Sequence, residues 1–473
     1  MQSTAKWAAN EFGDAALGDV RRTKRLVRLA AEVASRPAGT VTGACASSAA
    51  REGAFRLLEN ASVKADALRR CVQRAAVGRC TTHTKVVVPV DSTSLQLTDR
   101  KSAKGLGSVG TFKVGARGVL VMTAFAVAES GLPLGIASQQ MWIREKPAPR
   151  NFSGGARYGG ESVRWLETLN DARVAFAAEA PSVRPWYQID RGGDCWQVLM
   201  FGAKADLLMT VRAIHDRSVD APLGRLWQAV ESTRILARRQ VGVPARRRRR
   251  KPRRFRHGKR LPAHAFFPAM PARRARVSIR AAAVPVVLSS PEGSEIFEFN
   301  AVLVREETNA EDPVEWMLLT THPIRTRAEV LEVVRGYTLR WRIEDFHRTW
   351  KRGLCRVEQT QLRSRAAIEK WATILAAVAA RAMKLTHQAR ETPDVPASTE
   401  LTPYELEALI ALRDPPGLDD REPTLGEAVR WLADLGGYAG LWNGPPGVAV
   451  IGRGLHDVQA AARAFESRAR RQK

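Results

Sequence analysis

The segment Lys85-Val-Val-Val-Pro-Val-Asp91 is a short apolar run that ends on a carboxylate. Its valines are typical of a buried strand, because β-branched side chains pack well on a pleated surface. Two further runs, at residues 119–128 and 134–142, have the same character and are joined by the turn Glu129-Ser-Gly-Leu-Pro133. Together the three runs predict the first strands of a sheet.

More helices and strands are predicted downstream of these three strands. They are a helix at 160–180, strands at 186–190, 206–212 and 314–321, a long helix at 328–352 and another at 364–390. Three strands, a helix, a strand, a helix, a strand and a later helix match the order of a ribonuclease-H-like core. We therefore predict an α/β fold built on that core.

The flanking regions differ from this core. Residues 1–80 show helical periodicity, with Asp19 placed to cap one helix. Residues 245–260 hold eleven Lys or Arg and no acid, and the stretch at 275–304 is rich in β-formers. We predict a helical domain at 1–80, a core domain at 81–390 with a basic, β-rich insertion at about 214–310, and a C-terminal helical region at 391–473.

The charge of the chain indicates its partner. The 473 residues carry a formal net charge of +27, and the sequence pI is about 10.8. Such a balance favours a polyanion, and nucleic acid is the commonest one in cells. The longest apolar stretch is too short and too charged to span a bilayer, and no secretory signal is visible. These features predict a cytoplasmic protein that is associated with nucleic acid.

The cysteines and histidines do not predict a zinc site or a disulfide framework. The five cysteines form no CxxC pair, and the histidines form no HxxxH or HxH cluster. The carboxylates Asp91 and Asp190 follow predicted strands, and Glu344 lies on the long helix. Carboxylates so placed can converge on Mg²⁺, with Mn²⁺ as an alternative, and two such ions can cleave a phosphodiester. Strand ends also carry Asp simply as a cap.

The predicted helix from Tyr337 to Lys351 carries a polar stripe. Arg340, Glu344 and Lys351 lie 3, 7 and 14 residues after Tyr337, within an arc of about 60° on one helix. Arg348 lies beside this stripe. One interpretation is an exposed helix with i,i+4 pairs such as Arg340 with Glu344. The other is a metal-binding carboxylate among cations that bind phosphates.

The spacing Y-x₂-R-x₃-E-x₆-K of this segment resembles the signature of bacterial DDE transposases of the insertion-sequence-four family. The resemblance extends along nearly the whole chain. It includes the motifs at 16–26 and 52–56, Asp91-Ser-Thr-Ser-Leu95, Asp190-Arg191, Trp316-Met-Leu-Leu-Thr320 and the segment 337–351.

The resemblance implies a role for each matching residue. The implied catalytic and metal-binding triad is Asp91, Asp190 and Glu344. The implied DNA-binding residues are Arg25, Arg56, Arg212, Trp316, Tyr337, Arg340 and Lys351, with Trp316 stacking near an everted base. We add Arg348 to the predicted DNA-binding residues because it lies beside the polar stripe. The sequence departs from the family pattern at Ile214, where a lysine is expected, in the dense arginine run at 246–250, and in a shorter C-terminal segment.

These expectations combine into a cut-and-paste transposase that uses two Mg²⁺ ions. The resemblance implies that residues 1–80 bind transposon-end DNA, that residues 81–390 are the catalytic domain and that residues 391–473 dimerise, in a protein associated with the nucleoid of a bacterium. Helical content alone would equally allow the C-terminal region to dock within its own chain. The homodimer would cleave the transposon end, pass through a hairpin that the resemblance implies, and join the ends to target DNA. Two alternatives remain open from the sequence: a catalytically silent DNA-binding regulator derived from a transposase, and a nuclease without strand transfer.

Overall fold

The computed structural model describes residues 4–109, 115–144, 161–220, 224–243, 249–250, 266–271, 273–308, 313–415, 418, 421–440 and 446–471. The chain divides into two compact units. One comprises Met1–Pro185 with Leu339–Lys473, and the other comprises Trp186–Thr338. Each unit is described by itself below.

The first unit begins with helices, as predicted. They are α1 (Thr4–Phe12), α2 (Val20–Ser35), the single turn α3 (Val41–Ala44), α4 (Ser48–Glu59) and α5 (Ala65–Gly78). The carboxylate of Asp19 accepts a hydrogen bond from the backbone N–H of Arg21 and so caps α2. The prediction of this cap is confirmed.

A small antiparallel sheet follows in the same unit. Its strands are β1 (Lys85–Gln96), β2 (Gly107–Ser108), β3 (Arg117–Val127) and β4 (Pro133–Trp142), and helix α6 (Glu161–Glu179) comes next. The strand β3 pairs with the other three. The prediction that the first strand ends at Asp91 is wrong. The strand continues to Gln96, because β3 is long enough to pair with residues 91–96 of β1.

The second unit is β-rich. Its elements are β5 (Arg184–Ile189, which begins at the boundary), α7 (Trp196–Lys204), β6 (Leu208–Ala213), α8 (Leu226–Glu231), β7 (Ala237–Val243), β8 (Arg249–Arg250), β9 (Phe266–Phe267), β10 (Arg273–Ser290), β11 (Gly293–Glu306), β12 (Glu315–Thr320) and α9 (Arg327–Thr338). The strand order is β5-β6-β12-β11-β10-β7, and only β5 and β6 are parallel. Of the basic arm at 245–260, only residues 249–250 belong to the described part of the chain.

The first unit resumes with five helices. They are α10 (Trp341–Lys351), α11 (Arg365–Glu391), α12 (Pro403–Arg413), α13 (Leu425–Leu435) and α14 (Val448–Arg471). The prediction of one continuous helix at 328–352 is wrong. Leu339 and Arg340 form a turn, after which the backbone N–H groups of Arg342 and Ile343 bond to carbonyls only three residues back. Tyr337 therefore lies in the last turn of α9, whereas Arg340 directly precedes α10.

Helix α11 forms the centre of the first unit. Most of its residues are buried, and they share one hydrophobic core with α2, α4, α5, β3 and α10. The indole N–H of Trp371 donates to the carbonyl of Gly39, and the indole N–H of Trp350 on α10 donates to the carbonyl of Ala372. A helix buried on most sides explains why the run at 371–383 is apolar without spanning a membrane. The described helices include none that is long and apolar enough to cross a bilayer.

Candidate active site

Two of the predicted carboxylates lie around a single buried guanidinium in the first unit. Arg340 Nη2 is 2.7 Å from Glu344 Oε1, and Arg340 Nη1 is 3.7 Å from Asp91 Oδ2. The side chains of Arg340 and Asp91 are only 7% and 18% exposed. The i,i+4 pair expected from the sequence is therefore present, and a second carboxylate from a distant segment joins it.

The position of Asp91 follows from strand register. Asp91 pairs with Thr123 on β3, and Thr123 pairs with Gln139 on β4, so the three share a row across the sheet. The amide N–H of Gln139 donates to the Thr123 hydroxyl at 3.2 Å, and both residues are buried. This row places the Asp91 carboxylate in line with two buried polar residues.

The position of Glu344 follows from the packing of α10. Its Ile343, Phe346 and Trp350 are fully buried, and the Phe346 ring stacks on Phe125 of β3 at 4.8 Å. Glu344 lies in the first turn of α10, where the helix dipole favours a negative charge. The apolar face of α10 thus fixes the direction in which its acidic residue projects.

Lys351 lies at the other end of α10 and is tied to the same sheet. Its Nζ donates to the Thr93 hydroxyl of β1 at 3.1 Å and lies 3.6 Å from Glu358. Burial lowers the pKa of the Lys351 ammonium, and Glu358 opposes that shift. Glu358 also accepts from the backbone N–H of Gln96. Sequence reasoning missed Thr93 and Glu358, because no spacing rule connects them with Lys351.

Arg348 differs from the other polar residues of α10. Its side chain is 72% exposed, and its guanidinium pairs with Asp345 on the same helix at 3.2 Å. The structure thus brings Asp91, Arg340, Glu344 and Lys351 onto one face of the first unit, while Arg348 lies exposed at the solvent.

Asp190 belongs to the second unit, where it directly follows β5. Its carboxylate accepts from the backbone N–H of Gly192 at 2.7 Å and so caps the short turn Arg191–Gly193. The side chain is half-buried. The alternative noted for strand-end aspartates, a capping role, is therefore present in the structure.

The second unit also brings together three of the predicted DNA-binding residues. The ring of Trp316 on β12 meets the edge of Tyr337 on α9, with centroids 5.4 Å apart. A guanidinium N–H of Arg212 on β6 donates to the carbonyl of Glu315 at 2.8 Å. Trp316 is half-buried, whereas Tyr337 is fully buried. An aromatic face and a guanidinium thus lie at neighbouring positions of adjacent strands.

Arg25 and Arg56 lie on the N-terminal helices α2 and α4. The half-buried guanidinium of Arg25 covers Gly53, where an added Cβ would lie 2.6 Å from Arg25 Nη1. Arg56 is 79% exposed and pairs with Glu52 on its own helix. Gly53 therefore allows α2 and α4 to pack closely, while Arg56 is open to a ligand.

The donor set of the first unit suits a hard divalent cation. Asp91 and Glu344 offer carboxylate oxygens that already converge on a positive charge, and such oxygens are the ligands that Mg²⁺ prefers. Within the described ranges, no cluster of three or more His, Cys, Asp or Glu side chains with metal-binding geometry is found. The two carboxylates by themselves do not form such a cluster.

Two family models match this chain. Residues 4–63, which cover α1 to α4, match the model described as Transposase DNA-binding. Residues 205–380, which run from before β6 into α11, match the model described as Transposase DDE domain. The second match contains Glu344 and the cluster of Arg212, Trp316 and Tyr337, whereas Asp91 and Asp190 precede it. A DDE domain implies a ribonuclease-H-like fold, which confirms the predicted fold class.

Proposed function

The chain is a DDE transposase with a DNA-binding domain and a catalytic domain, and from this premise we propose that it moves a transposon by a cut-and-paste route. In this proposal residues 1–80 bind the terminal inverted repeats, residues 81–390 cleave and join DNA, and residues 391–473 dimerise. The hydrophobic core that α12, α13 and α14 form with the end of α11 supports treating the C-terminal helices as one region.

The observation that carries the catalytic proposal is the convergence of Asp91 and Glu344 on Arg340. The contact with Arg340 brings the two carboxylates close to one another, and carboxylate oxygens are the ligands that a hard divalent ion prefers. When bound, Mg²⁺ or Mn²⁺ ions supply activation of the attacking oxygen and stabilisation of the leaving oxygen. We propose Asp190 as the third carboxylate on its sequence motif alone.

The predicted DNA-binding residues bind and orient the DNA. Lys351 and Arg340 offer N–H donors to the phosphates beside the scissile bond. Arg212 offers a further guanidinium, and Trp316 offers an aromatic face on which an everted base can stack. A hairpin intermediate would need such a base to leave the helix, and stacking would offset part of its unstacking cost. Arg25, Arg56 and the exposed Arg348 contribute salt-dependent affinity for the backbone.

The decisive experiment combines a plasmid carrying the flanking terminal repeats with the purified protein, in Mg²⁺ or in EDTA. We expect excision and insertion only with the metal. Glu344→Ala should slow cleavage at least about 100-fold, because a metal ligand contributes several kcal/mol to stabilising the transition state. End binding should stay largely intact.

The matched control is Asp345→Ala, which removes the same charge from the next residue of α10 and should leave cleavage within a few-fold of wild type. Loss of binding and cleavage together in Glu344→Ala would contradict its assigned role. Cleavage without joining would favour a nuclease, and binding without cleavage in either condition would favour a silent regulator.

A further inference from the structure

The second unit contains an open groove of about 1100 Å³. Its lining includes none of Arg212, Trp316 and Tyr337. Its floor includes three small residues of β10, Ala281 to Ala283, and Asn300 of β11. Arg234 lines one side, and Arg325 and Arg327 line the other. As far as the chain is described, the lining contains no carboxylate.

The register of the strands shows how the groove is built. The backbone N–H of Leu236, two residues after Arg234, bonds to the carbonyl of Ile279 on β10. Ala283 pairs with Asn300 on β11, and Asn300 pairs with Thr320 on β12, just before the loop that carries Arg325. Three lateral steps of about 4.8 Å, or about 14 Å in all, lead across the sheet from β7 to β12. The groove therefore crosses the sheet between two cationic rims.

The three rim arginines differ from other arginines of this unit. All three side chains are exposed, and none of these side chains makes an ion pair or a hydrogen bond with a residue that the structure describes. In contrast, Arg238 and Arg276 both pair with Glu307, at 2.7 and 3.1 Å. Exposed guanidiniums without a protein acceptor keep all their N–H donors for a ligand.

The nearby acid is held in a helix cap next to the groove. Glu329 lies in the first turn of α9, where its carboxylate accepts from the backbone N–H of Thr326 at 2.8 Å, and its own N–H donates to the Thr326 hydroxyl. This reciprocal pair is a capping box. It holds the carboxylate at Thr326, between Arg325 and Arg327. The three rim arginines outnumber this one acid, so their combined charge stays positive.

We propose that this groove binds the phosphate backbone of duplex DNA at a surface whose lining residues include none of Arg212, Trp316 and Tyr337. The small alanine floor lets a bulky sugar-phosphate chain approach, and the arginines of the two rims contact phosphates on either side. Arginine is suited to this role because its planar fork matches two phosphate oxygens. The proposal rests on the DNA-binding function of the chain. The duplex can be the transposon end or other DNA, since both offer the same backbone.

The test is the salt dependence of DNA binding by the full chain, measured by fluorescence anisotropy on two duplexes, one with the terminal repeat and one of scrambled sequence. The variant Arg325→Gln/Arg327→Gln should reduce the slope of log K against log salt by about 1.8, because each phosphate contact contributes about 0.9. Adding Arg234→Gln should reduce it by about 0.9 more. The control Arg238→Gln/Arg276→Gln removes the same charge from ion-paired positions and should change the slope by less than half as much.

Each outcome has a defined meaning. A reduction on the repeat duplex alone assigns the groove to the transposon end, and a reduction on both assigns it to DNA of any sequence. If the groove variant and its control reduce the slope equally, diffuse surface charge and not the groove is responsible for the salt dependence. An unchanged slope would exclude DNA as the ligand of the groove and would leave an acidic protein segment as the alternative ligand. Metal-dependent cleavage by the wild type is measured separately, so failure of the groove leaves the proposed function standing.

Discussion

Arg340 in the first unit is buried and lies between two carboxylates, whereas Arg325 and Arg327 in the second unit are exposed and unpaired within the described chain. A buried guanidinium interacts strongly with its neighbours, because little water screens the charges, and so it fixes geometry. An exposed guanidinium contributes little to folding but releases counterions when it meets a phosphate. In our proposals the same residue type therefore organises a reaction site in one unit and a docking surface in the other.

Substitution of Arg340 is the strongest way to break this comparison. Arg340→Gln leaves Asp91 and Glu344 without their shared cation, and the free energy of unfolding should fall by roughly 2–3 kcal/mol. The loss is smaller than for a fully buried pair, because the Glu344 side chain is 34% exposed. Urea denaturation measures it. The control Arg325→Gln should stay within about 0.5 kcal/mol of wild type, and a comparable loss there would remove the distinction between the two arginines.

Lys370 extends the comparison to a buried cation whose partners are backbone carbonyls. On α11, its Nζ donates to the carbonyls of Leu58 and Asn60 at 2.7 and 2.8 Å, at the end of α4. Lys370→Met should cost about 1–2 kcal/mol, because both carbonyls lose a donor while the burial cost of the ammonium disappears.

The matched control for Lys370 is Lys384→Met on the same helix. Lys384 is half-buried and has no hydrogen-bond partner among the described residues, and burial lowers the pKa of both ammonium groups. We expect Lys384→Met to change the free energy of unfolding by less than about 0.5 kcal/mol. Equal effects at the two sites would mean that burial, not the contacts with α4, determines the cost.

His347 on α10 is buried without a counter-ion. Of these substitutions, its replacement has the smallest expected effect on the free energy of unfolding at neutral pH. Burial lowers the pKa of this imidazole to about 3, and the charge of Lys351 adds to the shift. Below pH 6.5 the unfolded chain binds a proton that the folded chain does not, so stability falls as the pH drops from about 6.5 towards 3. One such group contributes a slope of at most about 1.4 kcal/mol per pH unit.

His347→Leu should therefore make the free energy of unfolding less dependent on pH between 7 and 5, as measured by urea titrations at several pH values. His387, whose pKa burial lowers to about 4, continues to contribute in both proteins. His215→Leu, which alters an exposed histidine of the second unit, serves as the control. An unchanged slope in His347→Leu would show that the imidazole is not buried in solution.

Much of the fold and part of the site were predictable from local pattern. Valine-rich runs identified β1, β3 and β4 because strands need such residues, and Asp19 identified the start of α2 because a cap acts on adjacent backbone groups. Glu344 stood out because Arg340 lies four residues before it. The break between α9 and α10 carried no such signal, since neither Gly nor Pro marks Leu339 and Arg340.

The sequence by itself determined the fold class, the basic charge and the candidates Asp91, Asp190 and Glu344, because propensity, capping and helical spacing act over a few residues. Only the tertiary structure decided that Asp91 and Glu344 share one guanidinium, that Thr93 and Glu358 hold Lys351, and that Arg234 lies across a groove from Arg325. Those contacts join residues far apart in the chain. They depend on strand register and helix packing, which no local pattern encodes.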